Sequence, residues 1–102
     1  MHPNDPLNHC SDEELLTRLQ GGQREVFGVL VRRYQRELYG YLRRYLGDAD
    51  LADDVFQATF LQVYVKIGQY ESGRAARPWL YTIATHQAID AMRRAEQQQR
   101  GA

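Results

Sequence analysis

The chain has 102 residues, 43% of them hydrophobic, which suits one domain with its own core and leaves no room for two. Its single cysteine excludes an internal disulfide, no apolar run approaches the roughly 20 residues of a membrane helix, and the first residues lack signal-peptide character, so we expect a cytoplasmic protein. The formal net charge is zero, but residues 1–54 carry seven Arg against ten acidic residues, and residues 55–102 carry six basic against three acidic residues.

Residues 1–10 contain two prolines and two asparagines without a periodic apolar pattern, which predicts a flexible leader. His2, His9 and Cys10 are residue types that bind metals. They lack regular spacing and a fourth ligand, so we predict no metal site here and no cofactor elsewhere.

The first helix is predicted by Ser11 followed three residues later by Glu14, the pattern of a capping box. Leu15, Leu16 and Leu19 would form its buried side. The glycine pair at residues 21–22 is expected to end it.

The second helix is predicted to run from about Gln23 to Gly47. Its apolar residues recur at helical spacing: Val26, Phe27, Leu30, Val31, Tyr34, Leu38, Tyr41, Leu42 and Tyr45. Gly28 and Gly40 interrupt this stripe and suggest positions where another helix packs closely. The arginines off the stripe fit a solvated face, with the wall of a DNA channel as the alternative.

The third helix is predicted from about Asp50 to Ile67. Asp48 and Asp50 open it with carboxylates that can cap free N–H groups and favour the positive end of the helix dipole. Its apolar residues spread more widely round the helix than a small bundle needs to bury. Two explanations stay open: these groups dock against a partner helix, or a four-helix bundle buries them all.

The fourth helix follows a polar loop that begins at Tyr70, and Pro78 is expected at its first position. Its predicted buried stripe consists of Leu80, Ile83, Ala84, Ala88 and Ala91. Another face combines aromatic, hydroxyl, imidazole and arginine groups: Trp79, Thr82, His86, Asp90 and Arg93. Residue types alone allow either a nucleic-acid-binding helix or an ordinary amphipathic one.

Together these patterns predict an all-α fold, a compact bundle of about four helices spanning residues 11–95, with a polar tail or linker at 96–102. The sequence contains no phosphate-loop, dinucleotide-binding, H-E-x-x-H or paired Cys-x-x-Cys motif, so we predict no enzyme. A helical protein-interaction module without DNA binding is the alternative function, and a metal-dependent helical enzyme is a distant third.

Three motifs carry a resemblance to a known family: residues 48–64, an acidic helix start with its apolar continuation; Trp79-Leu-Tyr-Thr-Ile-Ala84; and Ala88-Ile-Asp-Ala-Met-Arg-Arg94. In this order and spacing they resemble the second conserved region of bacterial RNA polymerase sigma factors, extracytoplasmic-function group. The resemblance implies a sigma factor domain that acts in transcription initiation, a form of transcription regulation, through RNA polymerase binding and DNA-binding.

In that family the acidic helix docks on the clamp coiled coil of the polymerase β′ subunit. The implied polymerase-binding residues are Asp50, Asp53, Asp54, Gln57, Phe60 and Leu61. Ala58 departs from the family, whose members usually have an acidic residue there. Asp53 is a possible replacement for the missing polar contact.

The family's next loop and helix recognise the promoter −10 element, help to melt it and capture a flipped base of the non-template single strand. The implied DNA-binding residues are Tyr70, Arg74, Arg77, Trp79, Thr82, Thr85, His86, Arg93 and Arg94. Ala75 and Ala76 stand where relatives often have an aromatic residue, and His86 stands where they often have asparagine. The identity of the captured base therefore stays open.

The family normally continues through a linker to a helix-turn-helix domain that reads the −35 element, and this sequence ends before it. We interpret the sequence as a truncated piece. If it is natural as it stands, it would hold polymerase and −10 DNA without −35 anchoring. An anti-sigma factor is a further possible partner, and no membrane partner is expected.

Overall fold

The computed structural model describes residues 6–100, and the side chains of residues 7–99. This part of the chain forms four α-helices and two 3₁₀ helices, without strands. The elements in chain order are a 3₁₀ helix Pro6–His9, α1 Asp12–Gln20, α2 Val26–Leu46, α3 Ala49–Lys66, a second 3₁₀ helix Ile67–Gln69, and α4 Ala76–Arg100. The predicted all-α fold with four helices is confirmed.

The predicted helix ends at α1 and α3 are confirmed. At α1 the Ser11 hydroxyl accepts from the Glu14 N–H at 3.0 Å, while the Glu14 carboxylate accepts from the Ser11 N–H at 3.3 Å, which completes the capping box. The Asp48 carboxylate caps α3 by accepting from the Leu51 N–H at 2.9 Å. Gly47, with a φ of 70°, ends α2 in the left-handed region that glycine adopts without strain.

The core lies between the apolar faces of the four helices. Helix α3 packs between α2 and α4, and α1 lies across α2 and the start of α4. All five residues of the predicted α4 stripe are buried: Leu80, Ile83, Ala84, Ala88 and Ala91. Thr59 is buried too, and its hydroxyl donates to the Val55 carbonyl at 2.7 Å, so no hydrogen bond is lost there.

Helix α4 begins at Ala76, two residues earlier than predicted. The reason is a contact with α1, because the Glu13 carboxylate accepts from the Ala76 N–H at 2.7 Å. A carboxylate at this position satisfies one of the N–H groups that a helix start leaves free and complements the helix dipole. Pro78 then lies within the first turn, where its missing N–H removes no helical hydrogen bond.

Two predictions on α2 are wrong. The glycines do not mark close helix crossings, since the nearest atoms to a Cβ added at Gly28 or Gly40 are Nη1 of Arg32 at 3.3 Å and of Arg44 at 3.5 Å, both on α2 itself. The helix begins at Val26, three residues later than predicted, because residues 24–25 form a turn instead.

The end of the predicted leader is anchored. Residues 1–5, with His2, lie outside the described residues, but Cys10 is buried and Leu7 packs against the core. Arg33 of α2 donates to the Leu7 carbonyl at 3.0 Å and to the Asn8 carbonyl at 3.3 Å, which holds this segment on α2. At the other end α4 continues to Arg100, and residues 101–102 are not described.

Candidate functional site

One face of α3 exposes both acidic and apolar side chains to solvent. We call it the α3 face: Asp50, Asp53, Asp54, Gln57 and Leu61. All five side chains are exposed, Leu61 to 61%. Residues three, four and seven apart share one side of a helix, so these groups form a single surface.

Phe60, predicted with this set, is only 4% exposed. Its ring packs edge-on against Phe27 of α2, with centroids 6.1 Å apart, and lies tilted against Phe56 at 5.2 Å. In this conformation it supports the α3 face from beneath and offers a partner almost no surface. Helical spacing could not show this, because the burial depends on where α2 crosses.

The apolar end of the α3 face extends further than predicted. Val65, four residues after Leu61, is 65% exposed. Tyr64 is exposed beside it, and the Tyr64 and Phe27 rings pack in an edge-on arrangement with their centroids 5.6 Å apart. Large apolar side chains left in water next to each other indicate a contact surface. The spacing of four from Leu61 was the available sequence signal for Val65.

The loop before α4, residues 70–75, is fixed by side chains from α1. Gln20 donates to the carbonyls of Ile67 at 3.0 Å and Tyr70 at 2.6 Å. The hydroxyls of Thr17 and Ser72 are 3.0 Å apart and hydrogen-bonded. Gly73, with a φ of 88°, makes the turn in a conformation that other residues rarely adopt. These contacts therefore hold the loop in one conformation against α1.

Tyr70, predicted to contact DNA, is instead part of the core at 2% exposure. Its hydroxyl donates to the Arg74 carbonyl, and its ring meets Trp79 edge-on at 5.2 Å. Burial, and then the negative charge of Glu13, raise the pKa of Tyr70, so the hydroxyl stays protonated and keeps this hydrogen bond. Tyr70 thus shapes the loop and orients Trp79.

A crevice opens at the start of α4, and we call it the α4 crevice. One part, about 150 Å³ in volume, is lined by Arg74, Pro78, Trp79 and Thr82. The adjoining groove, about 390 Å³, is lined by Pro78, Tyr81, Thr82, Thr85 and His86. Five of the nine predicted DNA-binding residues therefore meet here: Arg74, Trp79, Thr82, Thr85 and His86. The Thr85 hydroxyl is also hydrogen-bonded to that of Tyr41, at 2.9 Å.

Arg77, another of the nine, is held by α2. Its guanidinium donates to the Glu37 carboxylate and lies 5.4 Å from the centre of the Tyr34 ring. The hydrogen bond to Glu37 is the main cause that raises the pKa of Arg77, so the group stays charged. Tyr81 also donates to Glu37, at 3.0 Å, and burial followed by this bond raises the pKa of Tyr81.

Arg93 and Arg94, the last two predicted DNA-binding residues, lie on different sides of α4. Both are exposed, but they lie more than 20 Å along the helix from Trp79, at about 1.5 Å per residue. Arg93 follows His86 by seven residues and shares its face. Arg94 instead lines a groove of about 340 Å³ with Asp54 and Ala58 of α3, so the structure does not bring it to the α4 crevice.

The residues described hold no group of three or more His, Cys, Asp and Glu side chains placed to bind a metal ion. Within the same range, none of the helices combines the length and apolar character needed to span a bilayer.

The described residues thus carry two separate surfaces on one helical domain, the α3 face and the α4 crevice. Residues 30–98 match the family described as Sigma-70 region 2, and the chain belongs to that family.

Among curated proteins, the chain is 36% identical over 82 residues to RNA polymerase sigma-H factor of Pseudomonas aeruginosa, covering 80% of this chain and 42% of that protein. It is 40% identical over 78 residues to RNA polymerase sigma factor CarQ of Myxococcus xanthus, covering 76% of this chain and 45% of that protein. The chain therefore spans less than half the length of these relatives.

A solved NMR structure has a similar fold: an engineered region 2 of sigmaE in complex with GTAAAA. The TM-score is 0.80 with 29% sequence identity, over 87% of this chain and 93% of the other.

Proposed function

We propose that this chain is the part of a sigma factor that docks on core RNA polymerase and binds the melted −10 element of a promoter. It would act in the cytoplasm as a transcription initiation factor without enzymatic activity. The observation that carries the proposal is the α4 crevice, which gathers an indole ring, an arginine, hydroxyls and an imidazole at the start of one helix. The engineered sigmaE region 2 that shares this fold was solved in complex with GTAAAA.

The crevice has the chemistry to hold an unpaired base. A flipped base exposes an aromatic face and a hydrogen-bonding edge, and rings or guanidinium groups stack on such faces. Trp79 is half-buried against Tyr70, so its ring is oriented before any ligand arrives. Thr82 is exposed beside Trp79, and His86 is exposed further along the adjoining groove. Both can donate or accept at a base edge, while Arg74 can meet a phosphate.

The α3 face would dock on the clamp coiled coil of the polymerase β′ subunit. Its carboxylates can pair with basic groups there, and the apolar end from Leu61 to Val65 can pack into a helical partner. Gln57 donates to Asp53 at 3.2 Å, so one amide is already oriented along this face. An anti-sigma factor acting on this chain is expected to cover one of the two surfaces.

DNA binding is tested by titrating the chain, with core polymerase present, into fluorescent single strands that contain GTAAAA or a scrambled sequence. Thr82→Ala together with His86→Ala should weaken binding to the −10 strand, since both side chains are exposed and neither supports the core. Affinity should fall with salt, by about 0.7 log units per log unit for each phosphate neutralised. Binding to polymerase with no single-strand affinity would support the protein-interaction module instead.

Docking is tested by charge reversal at Asp54 combined with Gln57→Ala. Both side chains are exposed, so helicity should remain intact while polymerase binding is lost. Asp90→Arg, a reversal at an exposed position of α4, is the control and should leave polymerase binding unchanged. Undiminished binding by the Asp54 variant would overturn the docking assignment.

A further inference from the structure

A carboxylate of α2 is paired with Arg77, the residue directly before Pro78 at the α4 crevice. Oε2 of Glu37 accepts from Nη1 of Arg77 and from the hydroxyl of Tyr81, the latter at 3.0 Å. The ion pair is accessible to solvent, with 59% of the Arg77 side chain and 40% of the Glu37 side chain exposed. A phosphate could therefore reach the same guanidinium.

The guanidinium is held from a second side as well. It lies over the Tyr34 ring, and the Tyr34 hydroxyl donates to Asp12 of α1 at 2.5 Å, which fixes the ring. A cation over an aromatic face is stabilised, so Arg77 has a defined position near the crevice. Its neighbour Pro78 lines both parts of the crevice. Arg77 is thus placed as a phosphate contact would be, while its charge is balanced by Glu37.

We propose that Glu37 limits the affinity of this surface for single-stranded DNA by acting as an internal substitute for a phosphate on Arg77. The inference rests on the DNA-binding function proposed above. When DNA binds, Arg77 must exchange the Glu37 carboxylate for a phosphate oxygen, and the displaced carboxylate then lies close to the anionic strand. An exposed ion pair is worth little, so the exchange is readily reversible and the limit on affinity is modest.

The test is a double-mutant cycle with Glu37→Gln and Arg77→Gln, singly and together, in complexes with core polymerase. The probe is a fluorescent single strand containing GTAAAA, titrated at several salt concentrations. Glu37→Gln keeps the side chain's size and removes its charge, and it should tighten binding about 1.5- to 5-fold, the range expected for an exposed ion pair. The salt dependence should steepen by at most about 0.7, because the variant complex no longer leaves a free carboxylate beside the strand when Arg77 contacts its phosphate.

The Arg77→Gln background separates this mechanism from a general field effect. There, Glu37→Gln should tighten binding less than it does in the unaltered chain, because the arginine that Glu37 restrains is gone and only the repulsion between its carboxylate and the strand is relieved. Asp90→Asn is the matched control: it removes an exposed carboxylate from the same side of α4 as His86, and it should tighten binding less than Glu37→Gln does. Circular dichroism of each variant checks that the fold is retained.

Three results would overturn the proposal. Weaker binding by Glu37→Gln would show that the carboxylate orients Arg77 for DNA. Equal tightening with and without Arg77 would assign the effect to the overall field. Absence of single-strand binding by the unaltered chain with polymerase would remove the proposed function and this inference together, whereas the first two results leave the proposed function standing.

Discussion

Glu13 is the side chain on which the start of α4 depends most directly. It belongs to α1, yet its carboxylate accepts from the Ala76 N–H at 2.7 Å and so caps a helix 63 residues further along the chain. Ala76 is fully buried, so water is poorly placed to replace the carboxylate. Substituting Glu13 by alanine should therefore loosen the joint between α1, the loop and α4.

The expected loss in the free energy of unfolding follows from two typical values for comparable interactions in other proteins. Removing a helix N-cap costs about 0.5–2 kcal/mol, and a hydrogen bond to a charged group contributes about 1.5–3 kcal/mol. A loss of about 1–2 kcal/mol in the free energy of unfolding lowers the melting temperature of a domain this size by about 4–16 °C. Glu13→Gln keeps an acceptor oxygen without the charge and should lose about half as much.

Thermal unfolding followed by circular dichroism measures these differences. Glu71→Ala is the control, because it also removes a carboxylate, from the adjoining loop. The Glu71 side chain has no hydrogen bond or ion pair among the described residues. It should shift the melting temperature by no more than about 2–4 °C, as surface substitutions do. If Glu13→Ala unfolds at the same temperature as this control, the inter-helix cap does not stabilise the domain.

Three further predictions concern the loop, the α3 face and alkaline stability. Gln20→Ala removes the donor to two carbonyls, so hydrogen exchange of the amides at 70–74 should accelerate, while unchanged exchange would contradict a loop fixed by α1. Leu61→Ala should change the free energy of unfolding by less than about 0.5 kcal/mol and yet weaken polymerase binding about 5-fold or more in a pull-down titration; equal binding would exclude Leu61 from the interface. Burial and the hydrogen bond to Asp12 raise the pKa of Tyr34 above its ordinary value of 10.0. The stability that this group contributes is therefore present below pH 10 and is lost as the pH rises further. In urea unfolding, Tyr34→Phe should lose less of its free energy of unfolding at alkaline pH than the unaltered chain, and an identical loss would refute the assignment.

The fold could be predicted to a large extent because its signals are local. The capping box at Ser11, the Asp48 cap and the buried α4 stripe each depend on residues three or four positions apart, and the structure confirms all three. Such spacing is dictated by helix geometry and needs no knowledge of the tertiary fold.

The candidate site could be predicted only in part, because several of its groups are placed by distant elements. Nothing local to Tyr70 indicates that its hydroxyl closes the loop on the Arg74 carbonyl, and nothing near Arg77 indicates a carboxylate 40 residues earlier. Phe60 is buried because α2 brings Phe27 against it. Which aromatic or charged group faces solvent is thus decided by tertiary packing, which sequence periodicity does not contain.

The proposed function requires that one domain holds polymerase and melted promoter DNA at the same time. The most direct measurement mixes the chain, core RNA polymerase and a fluorescent −10 single strand, and follows all three by size-exclusion chromatography. All three should co-migrate. The Asp54 and Gln57 change should separate the chain and the DNA from polymerase, and the Thr82 and His86 change should reduce the amount of DNA that the complex retains. A chain that co-migrates with polymerase but never retains the single strand would contradict the proposed function.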